Sequence, residues 1–151
     1  MNKPSVLFIC VHNSARSRMA EGLLNARCGD FFVAQSAGLE SGRGVNPLAA
    51  AVMQEVDIDI SGKPSQEVFD VYKSGQLFAY VITVCSESEG KGCPIFPGPT
   101  KRLHWPFADP ASFTGTWEEK LAQTREVRDE IAARIDAWCA EVCVGSAADA
   151  S

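Results

Sequence analysis

Five residues separate Cys10 from Arg16 in the stretch Cys10-Val11-His12-Asn13-Ser14-Ala15-Arg16-Ser17, which follows the apolar run Val6-Leu7-Phe8-Ile9. That spacing lets the chain curl round a tetrahedral oxyanion, with successive backbone N–H groups and the start of the next helix aimed at it. The planar guanidinium of Arg16 suits two oxygens of such an anion. Its charge, the N–H groups and the helix N-terminus together favour the thiolate, the form of cysteine that attacks. Cys10 is therefore the candidate nucleophile, and Val11, His12, Asn13, Ser14, Ala15, Arg16 and Ser17 are candidate substrate-binding residues. Ser17 can hydrogen-bond the sulfur, and Asn13 can adopt the left-handed conformation that a tight loop requires.

Expelling an oxygen from a bound anion needs a proton. Asp109, followed by Pro110, is the candidate general acid, with a plain turn aspartate as the alternative. Neither His12 nor His104 has partners at metal-ligand spacing, and both read as hydrogen-bonding residues. Cys85 and Cys93 flank seven polar or small residues, so loop movement can close them into a disulfide, and Cys10 offers a mixed-disulfide route. The alternative is two unrelated buried thiols. Cys139 and Cys143 share a helix face but are too few to hold a soft metal; with Cys28 they read as core or surface thiols.

This chemistry needs elements that gather it at one edge. Ser5–Cys10 reads as a central strand covered on both faces, followed by a helix over 16–28 with Met19, Leu23 and Ala26 on one side. A second strand is predicted over 31–37, ending at Gly38. Asn46 and Pro47 then cap and open a helix whose stripe is Leu48, Ala51, Val52 and Val56. A short helix over 66–74, a strand over 80–85 and another over 102–105 lead to a long amphipathic helix from Trp117 through Val142. The third strand ends in Cys85 as the first ends in Cys10, which puts both thiols at the carboxyl edge of a parallel sheet, where such sheets hold their ligands. The alternation predicts an α/β fold: one domain over residues 1–144, with a short four-stranded parallel sheet flanked by helices, and a flexible tail over 145–151.

Composition bounds what such a site serves. The chain has 151 residues, 46% hydrophobic and 22% charged, enough for one domain with a real core. A net charge of −5 argues against non-specific binding to nucleic acid or an anionic membrane, so anion capture must be local. The apolar run before His12 is too short for a signal-peptide core or a membrane span, which gives the cytoplasm as the expected location. In that reducing compartment the six cysteines are expected as thiols rather than a disulfide scaffold.

At these residues the chain resembles the thioredoxin-coupled arsenate reductases, which share their fold and oxyanion loop with the low-molecular-weight protein tyrosine phosphatases. The likeness runs from Val6–Cys10 through Arg16-Ser17, Met19–Gly22, Ser36–Gly38, Val45–Pro47 and Val56–Ser61 to Thr83–Cys85, Cys93-Pro94, His104-Trp105 and Asp109-Pro110. The loop alone suits hydrolysis and reduction equally; Cys85 and Cys93 distinguish them. Asp109-Pro110 is followed by Ala111-Ser112, without the tyrosines that the phosphatases often carry there.

The resemblance implies arsenate as substrate, Cys10 as nucleophile, Arg16 as anion clamp, Asp109 as acid, and Cys85 then Cys93 as resolving thiols. It further implies no bound cofactor, a monomer, and regeneration by thioredoxin, with glutaredoxin and glutathione as the alternative donor. The other readings are a low-molecular-weight protein tyrosine phosphatase and a non-catalytic thiol sensor or arsenite-binding protein. Some members of the family bind potassium, at positions matching Asn13, Glu21 and Ser36. Where they have an aspartate after the serine equivalent to Ser65, this chain has Gln66, so one carboxylate of that site is missing and catalysis is expected to use no metal.

Overall fold

The computed structural model describes residues 3–40, 44–62, 65–85 and 100–150, the last eight as backbone only. Four strands, β1 (Ser5–Cys10), β2 (Val33–Gly38), β3 (Tyr80–Thr83) and β4 (Lys101–His104), form one parallel sheet in the order β2-β1-β3-β4. Helices α1 (Arg16–Cys28), α2 (Pro47–Gln54), α3 (Val68–Lys73) and α4 (Trp117–Ala150) cover it, with a 3-10 turn at Pro110–Ser112.

β1 carries the sheet because its side chains alternate between two cores. Val6, Phe8 and Cys10 join the larger one, with Met19 and Leu24 of α1, Leu48 and Val52 of α2, and Ile131 and Ile135 of α4. Leu7 and Ile9 join the smaller one, with Val68 and Val71 of α3. A strand buried on both faces reads as a continuous apolar run, as this one does. After β1 the chain pairs β2 on one side and β3 on the other, so the carboxyl end of β1 is the topological switch point, and Cys10 occupies it.

The helix ends follow local chemistry. Asn46 Oδ1 accepts from the Leu48 and Ala49 N–H groups at 2.8 and 3.2 Å, with Pro47 at the first helical position. Thr116 and Glu119 close a reciprocal capping box at the start of α4. Leu121, Val127, Ile131, Ile135 and Trp138 form the buried stripe of α4, which continues as helix to Ala150, over the residues expected as a tail. Among the described residues, no helix is long and apolar enough to cross a membrane.

Several boundaries differ from expectation, α2 stopping at Gln54 short of Val56 and β4 starting one residue early at Lys101, and three have a reason in the hydrogen bonds. β2 begins at Val33 rather than Phe31, because the Phe31 and Phe32 N–H groups both turn back to the Cys28 carbonyl that ends α1. α3 begins at Val68 rather than Gln66, because the Gln66 carbonyl is taken by the Gly38 N–H and Glu67 bridges to Gly38. β3 ends at Thr83, two residues short of Cys85: the Val84 N–H still reaches Ile9 O, but the Cys10 carbonyl is already occupied by Leu39 N–H.

Candidate active site

Beyond Cys10 the chain folds into a loop whose carbonyls are held from outside. Leu39 N–H donates to Cys10 O at 3.0 Å, Glu40 N–H to Val11 O at 2.7 Å, and Asn46 N–H to Ser14 O at 2.8 Å. Arg18 Nε donates to Asn13 O at 2.6 Å. In a planar trans peptide the N–H lies opposite its carbonyl. The N–H groups of Val11, His12, Ser14 and Ala15 therefore point away from those donors, and such a run of inward N–H groups makes an anion cradle. α1 begins at Arg16 with no side-chain cap, which leaves its first N–H groups for the same anion.

The candidate nucleophile lies at the floor. Cys10 is 2% exposed. Its sulfur accepts from Asn13 N–H at 3.1 Å and lies 2.9 Å from Ser17 Oγ. Asn13 has φ 53°, a left-handed conformation that asparagine tolerates, and its side-chain orientation follows from its partners. Oδ1 accepts from Gln66 N–H at 2.9 Å, so Nδ2 faces Ser17 Oγ at 2.8 Å and Ser36 Oγ at 3.0 Å. The sulfur thus has two hydrogen-bond partners, the Asn13 N–H and the Ser17 hydroxyl that also meets Asn13 Nδ2.

Arg16 is 3% exposed and lies over the loop, with Nη2 at 3.4 Å from Asp109 Oδ2 and Nη1 donating to Phe107 O at 3.3 Å. Asp109 is about one-quarter exposed, caps the 3-10 turn through Ala111 N–H at 3.0 Å, and holds its other carboxyl oxygen beside Arg16. Cys85 is fully buried and shares the larger core with Cys10. Cys93 lies outside the described residues. His12 Nδ1 is 3.2 Å from Glu40 O, and His104 Nδ1 is 2.6 Å from Thr83 Oγ1, structural contacts in both cases. Cys28 and Cys139 are buried core thiols.

The candidate potassium residues do meet: Ser36 Oγ donates to Glu21 Oε1 at 2.9 Å and accepts from Asn13 Nδ2. Gln66 Nε2 donates to the Ser36 carbonyl at 3.1 Å. A hard cation needs converging oxygens. Here two amide nitrogens point at the serine's oxygens, so the set does not fit a potassium ion. Among the described residues no group of three or more His, Cys, Asp or Glu side chains could hold a metal.

Sequence reasoning gave Arg18, Gly38 and Ser65 no part in holding the loop. Arg18 is buried beneath the loop, with Nη1 on Ile60 O at 3.2 Å and Nη2 on Ser65 Oγ at 2.9 Å. A Cβ on Gly38 would lie 2.7 Å from Asn13 N. The available signals were an arginine on the face of α1 that also carries core residues, and a glycine closing the strand beside Cys10.

The low molecular weight phosphotyrosine protein phosphatase family model matches residues 5–145. An arsenate reductase of Bacillus licheniformis is 44% identical over 136 residues, 89% of this chain and 94% of that protein. A solved arsenate reductase in its phosphate-binding state superposes with a TM-score of 0.72 at 33% identity, over 91% of this chain and 98% of that one. A thioredoxin-dependent arsenate reductase of Corynebacterium glutamicum superposes with a TM-score of 0.70 at 27% identity, over 96% of this chain and 64% of that one.

Proposed function

The chain belongs to the low molecular weight phosphotyrosine protein phosphatase family, alongside relatives that are arsenate reductases, and from that membership we propose that it reduces arsenate to arsenite. The reaction runs through three thiols, Cys10, Cys85 and Cys93, and serves arsenic detoxification in the cytoplasm.

Arsenate enters the cradle and is held by the inward N–H groups and Arg16. The Cys10 thiolate attacks arsenic, an S–As bond forms, and one oxygen leaves as water with a proton from Asp109. The Cys85 thiolate then attacks Cys10 Sγ. The S–As bond breaks with its electron pair going to arsenic, so As(V) becomes As(III), arsenite leaves, and a Cys10–Cys85 disulfide remains. Cys93 attacks Cys85 Sγ, which frees Cys10 and leaves a Cys85–Cys93 disulfide. Thioredoxin reduces that disulfide by exchange, its own dithiol being oxidised, so the monomer needs no bound redox cofactor.

The observation that carries this reading is the pairing of a doubly hydrogen-bonded Cys10 sulfur with a second buried thiol, Cys85, in the same core at one sheet edge. Hydrolysis of a phosphate ester would use Cys10, Arg16 and Asp109 alone and leave Cys85 without a task.

The test is arsenate-dependent oxidation of thioredoxin, run beside glutaredoxin with glutathione, followed by mass mapping of the disulfide left after one turnover. The expected results are multiple turnover with thioredoxin, a Cys85–Cys93 disulfide in the wild type and a Cys10–Cys85 disulfide in Cys93→Ser. Full multiple turnover in Cys85→Ser or Cys93→Ser would refute the relay. Turnover with glutaredoxin alone would replace the donor, and efficient aryl phosphate hydrolysis without arsenate reduction would make the protein a phosphatase.

A further inference from the structure

We propose that Arg18 is a positioning residue for the oxyanion loop: by holding the Asn13 carbonyl it aims the Ser14 N–H into the anion cradle and keeps a second, buried cation beneath Cys10. The inference rests on the reading of residues 10–17 as an oxyanion loop.

Four carbonyls of the loop are held from outside, and three of them by backbone N–H groups of Leu39, Glu40 and Asn46. Those three are supplied whatever the side chains. The fourth, Asn13 O, accepts from a side chain, Arg18 Nε at 2.6 Å, with the Ser65 hydroxyl more distant at 3.4 Å. It is also the carbonyl of the one loop residue with positive φ, a sparsely populated backbone conformation. A flip of the Asn13–Ser14 peptide would exchange an N–H for a carbonyl on the concave side, replacing a donor to the anion with a repelling acceptor.

Arg18 suits this task because it is anchored elsewhere. Its other nitrogens donate to Ile60 O and Ser65 Oγ, so the guanidinium links the loop to the segment that also holds the Asn13 side chain through Gln66 N–H. A planar fork can satisfy three acceptors in fixed directions, which a lysine ammonium on a flexible stem does less well. Burial pulls Arg18 below its ordinary pKa, while Glu21 and then Cys10 pull it back. An arginine remains charged under such opposition, and its field favours negative charge on both sulfur and anion.

The test uses the full-length reduced protein as wild type, Arg18→Gln and Arg18→Lys. Calorimetric titration with inorganic phosphate reads the cradle. Iodoacetamide alkylation of Cys10 at neutral pH, followed on the Cys10 peptide by mass, reads the charge beneath the sulfur. In Arg18→Gln phosphate binding weakens about tenfold, the loss of one well-made hydrogen bond, and alkylation slows. In Arg18→Lys the alkylation rate returns toward wild type while phosphate binding stays weakened. If Arg18→Gln does not fold, the phosphate arm of Arg18→Lys decides alone. Wild-type affinity in either folded variant overturns the proposal, as does a lowered melting temperature with both readouts unchanged. A wild type that binds no phosphate at all overturns the oxyanion-loop reading and this inference with it.

Discussion

Replacing Gly38 by alanine is expected to disable the site while leaving every reactive side chain in place. Gly38 ends β2 opposite Cys10, and an added Cβ would lie 2.7 Å from Asn13 N, 2.8 Å from His12 C and 2.9 Å from Val11 O. All three atoms are loop backbone, held in turn by Glu40 N–H on Val11 O and by Asn13 N–H on the Cys10 sulfur. Ordinary contact lies near 3.5 Å, so the loop must retreat by about 0.8 Å. Overpacking of this kind costs about 1–3 kcal/mol, which for a domain of this size lowers Tm by about 2–4 °C per kcal/mol. A displacement approaching 1 Å in a catalytic loop slows chemistry by about 10²-fold. The assay is single-turnover arsenite formation beside thermal unfolding, with two alanine controls. Gly62 has nothing within 4 Å of its Cβ position, and Gly22 in α1 meets only side-chain ends of Ile58, Ile60 and Met53 at 3.0–3.3 Å. At Gly22 a helix-propensity gain of about 1 kcal/mol offsets that crowding. Gly38→Ala with wild-type rate and Tm, or Gly22→Ala with an equal loss of rate, would refute the steric argument.

Ser17→Ala removes one of the two hydrogen-bond partners of the Cys10 sulfur and leaves Asn13 Nδ2 its contact with Ser36, so Cys10 attack should slow about ten- to a hundredfold with little change in Tm; stopped-flow alkylation measures it. Asp109→Asn keeps the shape that caps Ala111 but cannot supply a proton. Formation of the arsenic adduct should slow about 10²–10⁴-fold, and an unchanged rapid-quench rate would remove Asp109 from the chemistry. Glu55 is held by the Arg125 and Arg128 guanidiniums, which bring its carboxyl from an ordinary 4.5 down to about 2. A folded value below the unfolded one stabilises the protein above pH 4.5, and this contribution fades as pH falls toward 2. The gap in urea midpoint between wild type and Glu55→Gln should accordingly be present at pH 7 and shrink at pH 3; a constant gap would show that the ion pairs do not act through this titration.

The strands and helices were legible because their signals are local: the unbroken apolar run of β1, the Asn46-Pro47 start of α2 and the 3.6-residue stripe of α4 each lie within one segment. The placement of Cys10 and Arg16 was legible for the same reason, since strand end, loop and helix start are contiguous. The holding of the loop was not. Leu39, Glu40 and Asn46 act through backbone N–H groups, which every non-proline residue offers, and only the parallel register of β1 and β2 brings the first two beside the loop. Arg18 was hidden because an arginine in a helix ordinarily reads as solvated; its burial depends on acceptors at Ile60 and Ser65, more than 40 residues away. Phe31 failed the other way, as an apolar residue whose N–H the end of α1 had already taken and whose side chain is 59% exposed.

The proposed capture of an anion by a chain of net charge −5 rests on a potential that is local. Exposed charges are screened beyond about 8 Å at physiological salt, whereas Arg16 and Arg18 are each 3% exposed and act where little water intervenes. At rest the phosphate-like position on Arg16 is answered by the chain itself, through the Asp109 carboxylate at 3.4 Å and the Phe107 carbonyl at 3.3 Å. Asp109 is tied to the 3-10 turn through Ala111, so an oxyanion that takes the guanidinium in the proposed reaction meets a carboxyl already fixed beside Arg16, within reach of the oxygen that would depart.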